Sequence, residues 1–561
     1  MRALLELSIE EVGEELRVFK PAAAQSLETL PHDHGSAAQR QRWIRALAWP
    51  LALVIATLIP YLAALIGVPS GDYFRGSLRP STDEAVYLTA VRLGAAGDWL
   101  WHDPFVVHSP APVLMYPTYV LAGHAGALLG MAPRTVFIAY HVAAILLLAF
   151  SIWCLARIFL DNRRRAWFVA FALCTANLLW LDAVLAVVGR APVRLSPLEH
   201  ETVSGFSMAL ISGHYAVGFA GHVAALTGVV GFLYDRPALR LCYFTCGVTG
   251  MVVLGLAGPV YLPLTLGTLV LFSAWHVWHD AQLSGHVLQR IRHVAIVCGA
   301  IAAPGLAFAL YYYALLDHGV WAGLWQLGRE STIGSLFDWG FLLPAAAWGW
   351  YAAPSETRPL KVLLGLWCAI AAGGWVLNLY QSTRLTDGIT IPLGGLICLG
   401  TLRLATTARR RVFFIAGFSL VCQYLFLLSG LLQGNSASLY DTAGEEQAIQ
   451  WLAHNAQPAD VVLAPYLFGN VIPEGSAVHV VAGQNSQTYD LSIRYGQLTT
   501  FYGAASTVAQ RLDVLRRTGA TLVAYDGNDL AEGPYDPRGL PALRLVFAVG
   551  NVALLRVAPG Y

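Results

Sequence analysis

The feature that most constrains this chain is a series of apolar runs long enough to cross a bilayer, with charge confined to the segments between them. A spanning helix needs roughly 20 mostly apolar residues. Candidate runs lie at about 44–67, 135–160, 166–186, 212–234, 241–257, 260–278, 294–316, 339–353, 361–378, 391–406 and 412–432. Only 12% of the 561 residues are charged, against about 25% in an ordinary soluble chain. This excludes a single water-soluble globular domain and a disordered chain. A net charge of +1 gives no electrostatic reason to seek a polyanion, so nucleic acid is not an expected partner. The reading is a polytopic α-helical membrane protein of about 11 transmembrane helices.

Arginine placement orients the chain, because basic residues gather in cytoplasmic loops. With the N-terminus inside, alternate loops hold Arg40 and Arg42, Arg163-Arg164-Arg165, Arg236 and Arg240, Arg290 and Arg292, Arg358 and Lys361, and Arg409-Arg410-Arg411. The expected organisation is a cytoplasmic N-terminal segment over 1–43, a membrane domain over 44–432, and an extracytoplasmic domain over 433–561. Eight cysteines, all inside apolar stretches, read as small buried hydrophobes with no disulfide framework or metal-ligand spacing.

Two outer regions are long. The first, 68–134, contains Asp83-Glu84-Ala85-Val86-Tyr87-Leu88, which opens an amphipathic helix with Ser81 or Thr82 as its N-cap. A second apolar segment, about 112–131, is long enough to span. Counting it would put the Arg163–Arg165 loop outside, so it reads as interfacial or re-entrant. The other outer region is the tail. Helical patterns at Glu445–Asn455 and Ser506–Thr518 alternate with strand patterns at 460–464, 477–481, 521–525 and 552–557, which predicts a small α/β layer domain. Gly519 reads as a helix stop and Asp526-Gly527-Asn528-Asp529 as a turn.

The strongest local chemical signal is Asp83-Glu84, at the start of a helix lying against the bilayer surface. A carboxylate there can act as a general base or hold a metal. It can equally be an acidic first turn that complements the helix dipole.

The run Asp83-Glu84-x-x-Tyr87, with Gly97-Asp98-Trp99 and Tyr116-Pro117 after it, resembles the GT-C superfamily of membrane glycosyltransferases. It looks most like a bacterial branch near the protein mannosyltransferases and the aminoarabinose lipid A transferases. The tail is similar too, through Ala448-Ile449-Gln450-Trp451-Leu452, Asp460-Val461-Val462-Leu463, Gly483-Gln484-Asn485-Ser486 and Phe501-Tyr502. The resemblance covers the chain from about 44 to its end. It implies an enzyme of a bacterial inner or plasma membrane that moves a sugar, with inversion, from a polyprenyl-phosphate donor to a glycan, lipid or protein acceptor on the outer face. Asp83 would be the base, with Glu84 beside it, and Tyr87 would line the substrate site. No cofactor is required, and a divalent metal is an open possibility.

The resemblance also implies a second acid on the next outer loop, where Asp182 stands. A carboxylate near a helix end is costly unless paired or functional, though Asp182 can also sit at headgroup level. Glu199-His200-Glu201 reads as solvated loop or metal site. Cations for the phosphate would come from Arg190, Arg194, Arg329 and Arg384, since the planar guanidinium fork suits a phosphate. His214 is the phosphate or acid–base candidate, and His222 the packed histidine. Trp321, Trp325 and Trp339 fit an interfacial aromatic belt. The competing readings are a transporter, and a non-catalytic envelope assembly or sensing protein working through its tail.

Sidedness is directly testable. In intact cells, Ser436→Cys should react with a membrane-impermeant thiol reagent. Labelling only after permeabilisation would overturn the orientation.

Overall fold

The computed structural model describes residues 37–78, 83–108, 110–178, 181, 203–281, 287–317, 338–379, 382–432 and 439–560. The chain divides into a unit ending at Leu53 and a compact unit from Val54 to Tyr561. Helix α1 is Ala37–Ile66, so helix begins several residues before the expected 44. The remaining description concerns the larger unit.

Among the described residues, eight helices are long and apolar enough to cross a membrane. They fall within α1, α4 (Pro133–Arg157), α7 (Gly213–Tyr234), α8 (Arg240–Ala257), α9 (Leu262–Ala281), α10 (Val287–Asp317), α12 (Arg358–Val376) and α15 (Thr406–Leu432). The other three expected spans form shorter helices: α5 (Asn162–Cys174), α11 (Leu343–Ala352) and α14 (Thr390–Thr401). A helix too short to span leaves carbonyls at membrane depth that other protein groups must satisfy. Arg409 does this for α14, donating to the Thr401 carbonyl at 3.2 Å and the Leu402 carbonyl at 2.9 Å. Buried α7 lies close against α8, and small residues allow it. A Cβ on Gly228 would sit 2.3 Å from the Gly247 Cα. All eight cysteines are free, and Cys398 is buried as expected, but Cys242 is exposed on its apolar helix. Trp339 departs from the belt reading. It is buried and packs edge-on against Trp375, ring centroids 5.7 Å apart.

The first outer region supplies β1 (Asp72–Phe74), α2 (Asp83–Ala96) and α3 (Pro117–Leu128). At 12 residues α3 is shorter than a span, in keeping with the interfacial reading. Helices α2 and α3 touch backbone to backbone, since a Cβ on Gly94 would meet the Val120 carbonyl oxygen at 2.0 Å.

The tail opens with β2 (Tyr440–Thr442) and α16 (Ala443–Asn455). A capping box starts α16: Thr442 Oγ1 accepts from the Glu445 amide and Glu445 accepts from the Thr442 amide. Then come β3 (Val461–Leu463), α17 (Tyr466–Gly475), β4 (His479–Val480), α18 (Leu491–Tyr502), α19 (Val508–Thr518), β5 (Leu522–Asp526), β6 (Leu543–Val549) and β7 (Val552–Val557). The sheet order is β4-β3-β5-β7-β6. Strand β3 pairs parallel with β4 and β5, while β7 pairs antiparallel with β5 and β6. The four expected strands and two expected helices are present. Gly519 ends α19 at φ +63°, a left-handed conformation open to glycine. Strand β6 and helices α17 and α18 were not read from the sequence.

Alternation along the strands builds two cores. Val462, Leu522, Ala524, Val552 and Leu554 face one side. Val461, Leu463, Val523, Ala553 and Leu555 face the other, with Leu498, Phe501 and Leu515 from α18 and α19. The first core also takes in Ala85, Leu88 and Val91 of α2, with Trp101, Phe105 and Tyr119. The two outer regions therefore share one core. Strands β1 and β2 pair antiparallel, Asp72 opposite Thr442. The Val480 amide donates to the Pro104 carbonyl at 2.9 Å, so the first outer loop continues the sheet edge.

A largely buried ion-pair cluster closes this junction. Arg75 meets Glu474 and Asp441, and Arg134 meets Asp441 at 3.0 Å and Glu446 at 2.8 Å. Burial works against the Arg75 charge, but Glu474 and Asp441 hold its pKa above the usual arginine value. Removing one partner of a buried pair leaves uncompensated charge and costs about 3–5 kcal/mol. Arg75→Ala should therefore lower the thermal unfolding temperature of the detergent-solubilised protein by several degrees. An unchanged melting curve would show that the cluster is not a structural tie.

Candidate functional site

Asp83 stands at the first position of α2, where the helix dipole favours negative charge. Its Oδ1 accepts a 2.7 Å hydrogen bond from Gln484 Nε2. Gln484 is buried just past the end of β4, so the tail reaches the acidic pair directly. Ser486 Oγ donates to Gln484 Oε1 at 2.7 Å, which fixes the amide with its nitrogen toward Asp83. Glu84 points elsewhere. It is 2% exposed and acts electrostatically on Tyr119 and Tyr87. The expected cap residues Ser81 and Thr82 lie outside the described residues.

One turn along α2, Tyr87 enters an aromatic cluster. Its ring stacks on Tyr119 with centroids 4.9 Å apart, and it lies 4.6 Å from the His214 ring and 5.7 Å from Tyr116. Tyr119 Oη and His214 Nδ1 are hydrogen-bonded at 3.0 Å. Tyr215, next to His214 on α7, carries the Arg384 guanidinium 5.0 Å from its ring centroid. Arg384 also approaches Asp387 at 3.6 Å, and Asp387 accepts from Tyr261 Oη at 2.7 Å. Burial opposes the Arg384 charge, yet Tyr215 and Asp387 raise its pKa, with smaller contributions from Tyr261 and Tyr87. Burial, and then Tyr215 and Asp83, push up the Tyr87 hydroxyl. Ring contacts thus run from Tyr87, one turn after Asp83 on α2, through His214 and Tyr215 to Arg384.

Four expected residues, Asp182, Arg190, Arg194 and Arg329, lie outside the described residues, as do Glu199, His200 and Glu201. His222 is fully buried deeper in α7, with Nδ1 2.7 Å from Thr265 Oγ1 and its ring against Trp367. Among the described residues no three His, Cys, Asp or Glu side chains converge as a metal site.

Sequence reasoning did not single out Tyr215, Asp387 or Tyr261, whose roles come from contacts across the bundle. Gln484 stood inside a tail segment carrying the resemblance, without an assigned contact. Tyr116, also inside a quoted motif, adopts φ +52°, uncommon for an aromatic residue. It accepts from Gln487 Nε2 at 2.9 Å and so is held by the tail as well.

The fold has counterparts of known structure. An Archaeoglobus fulgidus oligosaccharyltransferase, solved tethered to an acceptor peptide, aligns over 86% of this chain and 70% of its own, with 12% identity and a TM-score of 0.51. ArnT from Cupriavidus metallidurans in its apo state aligns over 91% of this chain and 98% of its own, again at 12% identity and a TM-score of 0.51. The same ArnT bound to undecaprenyl phosphate aligns over 92% and 99%, at 12% identity and a TM-score of 0.50. This is the GT-C fold. No protein-family model and no curated protein matches the sequence. With this fold and its eight long apolar helices among the described residues, the chain is an integral membrane protein.

Asp103 was not foreseen. It is 1% exposed, with Oδ1 accepting from the Phe105 amide at 2.9 Å and Oδ2 lacking a hydrogen-bond partner. Burial raises its pKa to about 8, partly opposed by the Phe105 amide. A carboxyl whose folded pKa exceeds its unfolded value contributes stability that is full below the unfolded value and is lost as pH rises through the folded one. The window runs from about 4 to about 8. Asp103→Asn, which retains an oxygen for the Phe105 amide, should flatten the fall in unfolding temperature between pH 5 and pH 8. Parallel curves for variant and wild type would count against a buried neutral Asp103.

Proposed function

We propose that this protein is a membrane glycosyltransferase. It moves a sugar from a polyprenyl-phosphate donor to an acceptor hydroxyl at the outer face of the membrane, and Asp83 is the general base. The observation that carries this reading is the run of ring contacts from Tyr87, one helical turn after Asp83, through His214 and Tyr215 to the Arg384 guanidinium. A base and a phosphate-binding cation are the two groups such a transfer needs most. The fold shared with ArnT, a protein also solved bound to undecaprenyl phosphate, supports the choice of donor class.

In the step proposed, the acceptor oxygen attacks the anomeric carbon as its proton passes to the Asp83 carboxylate. The bond from that carbon to the phosphate oxygen breaks, and the lipid phosphate leaves with the bonding pair. Attack opposite the leaving group inverts the anomeric centre. Arg384 takes up charge developing on the phosphate, where a guanidinium fork is well matched. Gln484 holds the base in one orientation. His214, tied to Tyr119, orients the aromatic wall. Glu84, turned into the core, is a structural neighbour. The orientation of the termini follows from the arginine pattern and belongs to the same proposal. These steps use protein groups alone. If a divalent cation takes part, Asp83 would be one of its carboxylates.

The test uses purified full-length protein and a panel of undecaprenyl-phosphate sugars, with sugar release or transfer as the readout. Asp83→Asn preserves shape and removes the basic oxygen. A positioned general base contributes roughly 10²–10⁴-fold, so turnover should fall by that factor while the unfolding temperature holds. Glu84→Gln should leave turnover closer to wild type. Asp83→Asn activity within about twofold of wild type would reject the assignment.

A further inference from the structure

The turn that follows β4 carries Gln484, Asn485 and Ser486, and its backbone is closed on itself. The Gln484 carbonyl accepts from the amides of Gln487 at 3.2 Å and Thr488 at 3.0 Å, and Thr488 Oγ1 accepts from the Gly483 amide at 3.1 Å. Gly483 lets the turn lie close to its neighbours, since a Cβ there would meet Phe105 Cδ1 at 2.7 Å and the Gly469 carbonyl oxygen at 2.9 Å. A turn held this way is ordered before any ligand arrives, which removes part of the entropic cost of binding.

Within this turn one nitrogen joins two side chains. A primary amide carries two N–H donors. Gln484 Nε2 directs one to Asp83 Oδ1 at 2.7 Å and the other to Asn485 Oδ1 at 2.8 Å. Ser486 occupies Gln484 Oε1, so the Gln484 amide is held against turning over. That in turn fixes Asn485. Its oxygen is the only arm that can accept from Gln484, which leaves its amino group on the other arm of the carboxamide. Gln484 is buried, whereas Asn485 is exposed and Asp83 half-buried. Among the described residues the bond from Gln484 is the one side-chain hydrogen bond that Asn485 makes. An accessible N–H donor therefore stands beside the proposed base, with a single Gln484 nitrogen between their oxygens.

The two groups ask for different atoms. A carboxylate acting as base receives the hydrogen of the reacting hydroxyl. An amide N–H needs a lone pair, so it serves a second oxygen of the same molecule. Groups this close suit a second oxygen on the carbon next to the reacting one. We propose that Asn485 is a specificity-determining residue, whose side-chain amide donates to that neighbouring oxygen of the acceptor. The acceptor is then a molecule with vicinal oxygens, the chemistry of polyols and sugars, and not an alcohol with an isolated hydroxyl. This rests on the glycosyltransferase reading and adds the acceptor's chemical class to it. The contact is assigned to the acceptor because Asn485 is tied to Asp83, which takes the acceptor's proton, while the donor phosphate is assigned to Arg384. Asn485 touches no reacting atom and selects among acceptors by one hydrogen bond.

The experiment compares matched acceptors. Full-length protein in nanodiscs is given the panel of undecaprenyl-phosphate sugars, with propan-1-ol, propane-1,2-diol or 2-methoxyethanol as acceptor, and the products of transfer and of hydrolysis are measured together. One net hydrogen bond corresponds to roughly two- to tenfold. In wild type, kcat/KM for propane-1,2-diol should exceed that for propan-1-ol by roughly fivefold. The ether 2-methoxyethanol should match the diol, because the amide needs only a lone pair. In Asn485→Ala the ratio of diol to propan-1-ol should fall to within about twofold of one. Asn485→Asp, which keeps the oxygen for Gln484 and lacks the N–H, should lose the preference too, and it carries the test if Asn485→Ala fails to fold. Each ratio is taken within one variant, so a smaller folded fraction or a slower base does not alter it. The assignment is overturned if wild type shows no preference, if the preference survives in the variants, if the ether behaves as propan-1-ol does, or if the sugar passes to water alone. Any of these results with the donor turned over leaves the glycosyltransferase reading standing. Failure to turn over every donor would overturn that reading, and the role of Asn485 with it.

Discussion

The structure depends on a junction between two stretches of chain more than 300 residues apart. Arg75 and Arg134, from the first outer region, meet Asp441, Glu446 and Glu474 of the tail in a mostly buried cluster. Desolvating charge is expensive, and the cost is offset only where geometry and hydrogen bonding are good. The β1–β2 pair beside the cluster supplies that geometry by fixing the backbone on both sides. Once the junction forms, α2 and the tail sheet bury apolar surface in one core, and neither outer region is a free-standing layer.

The candidate site inherits its form from this docking. Asp83 is oriented by Gln484, and Tyr116 by Gln487, so the tail sets side chains on both α2 and the start of α3. The membrane helices provide the opposite wall through His214 and Tyr215 on α7 and through Arg384. Aromatic rings fill the space between Tyr87 and Arg384. In such surroundings a hydrogen bond or charge interaction is stronger than in bulk water. Asp83 and Arg384 come from different layers of the molecule.

Local pattern was enough to determine much of this. Among the described residues, apolar runs marked each of the eight helices long enough to span, out of eleven expected. Alternation and turn residues marked four tail strands, because burial on both faces selects Val, Leu and Ala in short runs. Asp83, Glu84, His214 and Arg384 stood out in the sequence because charge and imidazole are rare beside apolar helices, whereas Tyr87 came with the family resemblance; that Tyr87, His214 and Arg384 lie along one run of ring contacts came from the structure. Strand β6 escaped because its outer position in the sheet leaves it half exposed, so its pattern is blurred. Tyr215, Asp387 and Gln484 escaped because nothing near them in sequence announces their partners, which lie on other elements. The lengths of α5, α11 and α14 were decided by packing between short helices rather than by hydropathy. The fusion of the two outer regions into one core was decided by tertiary structure alone. A buried ion-pair cluster is written in the sequence only as scattered charges, and which of them meet depends on how the whole chain folds.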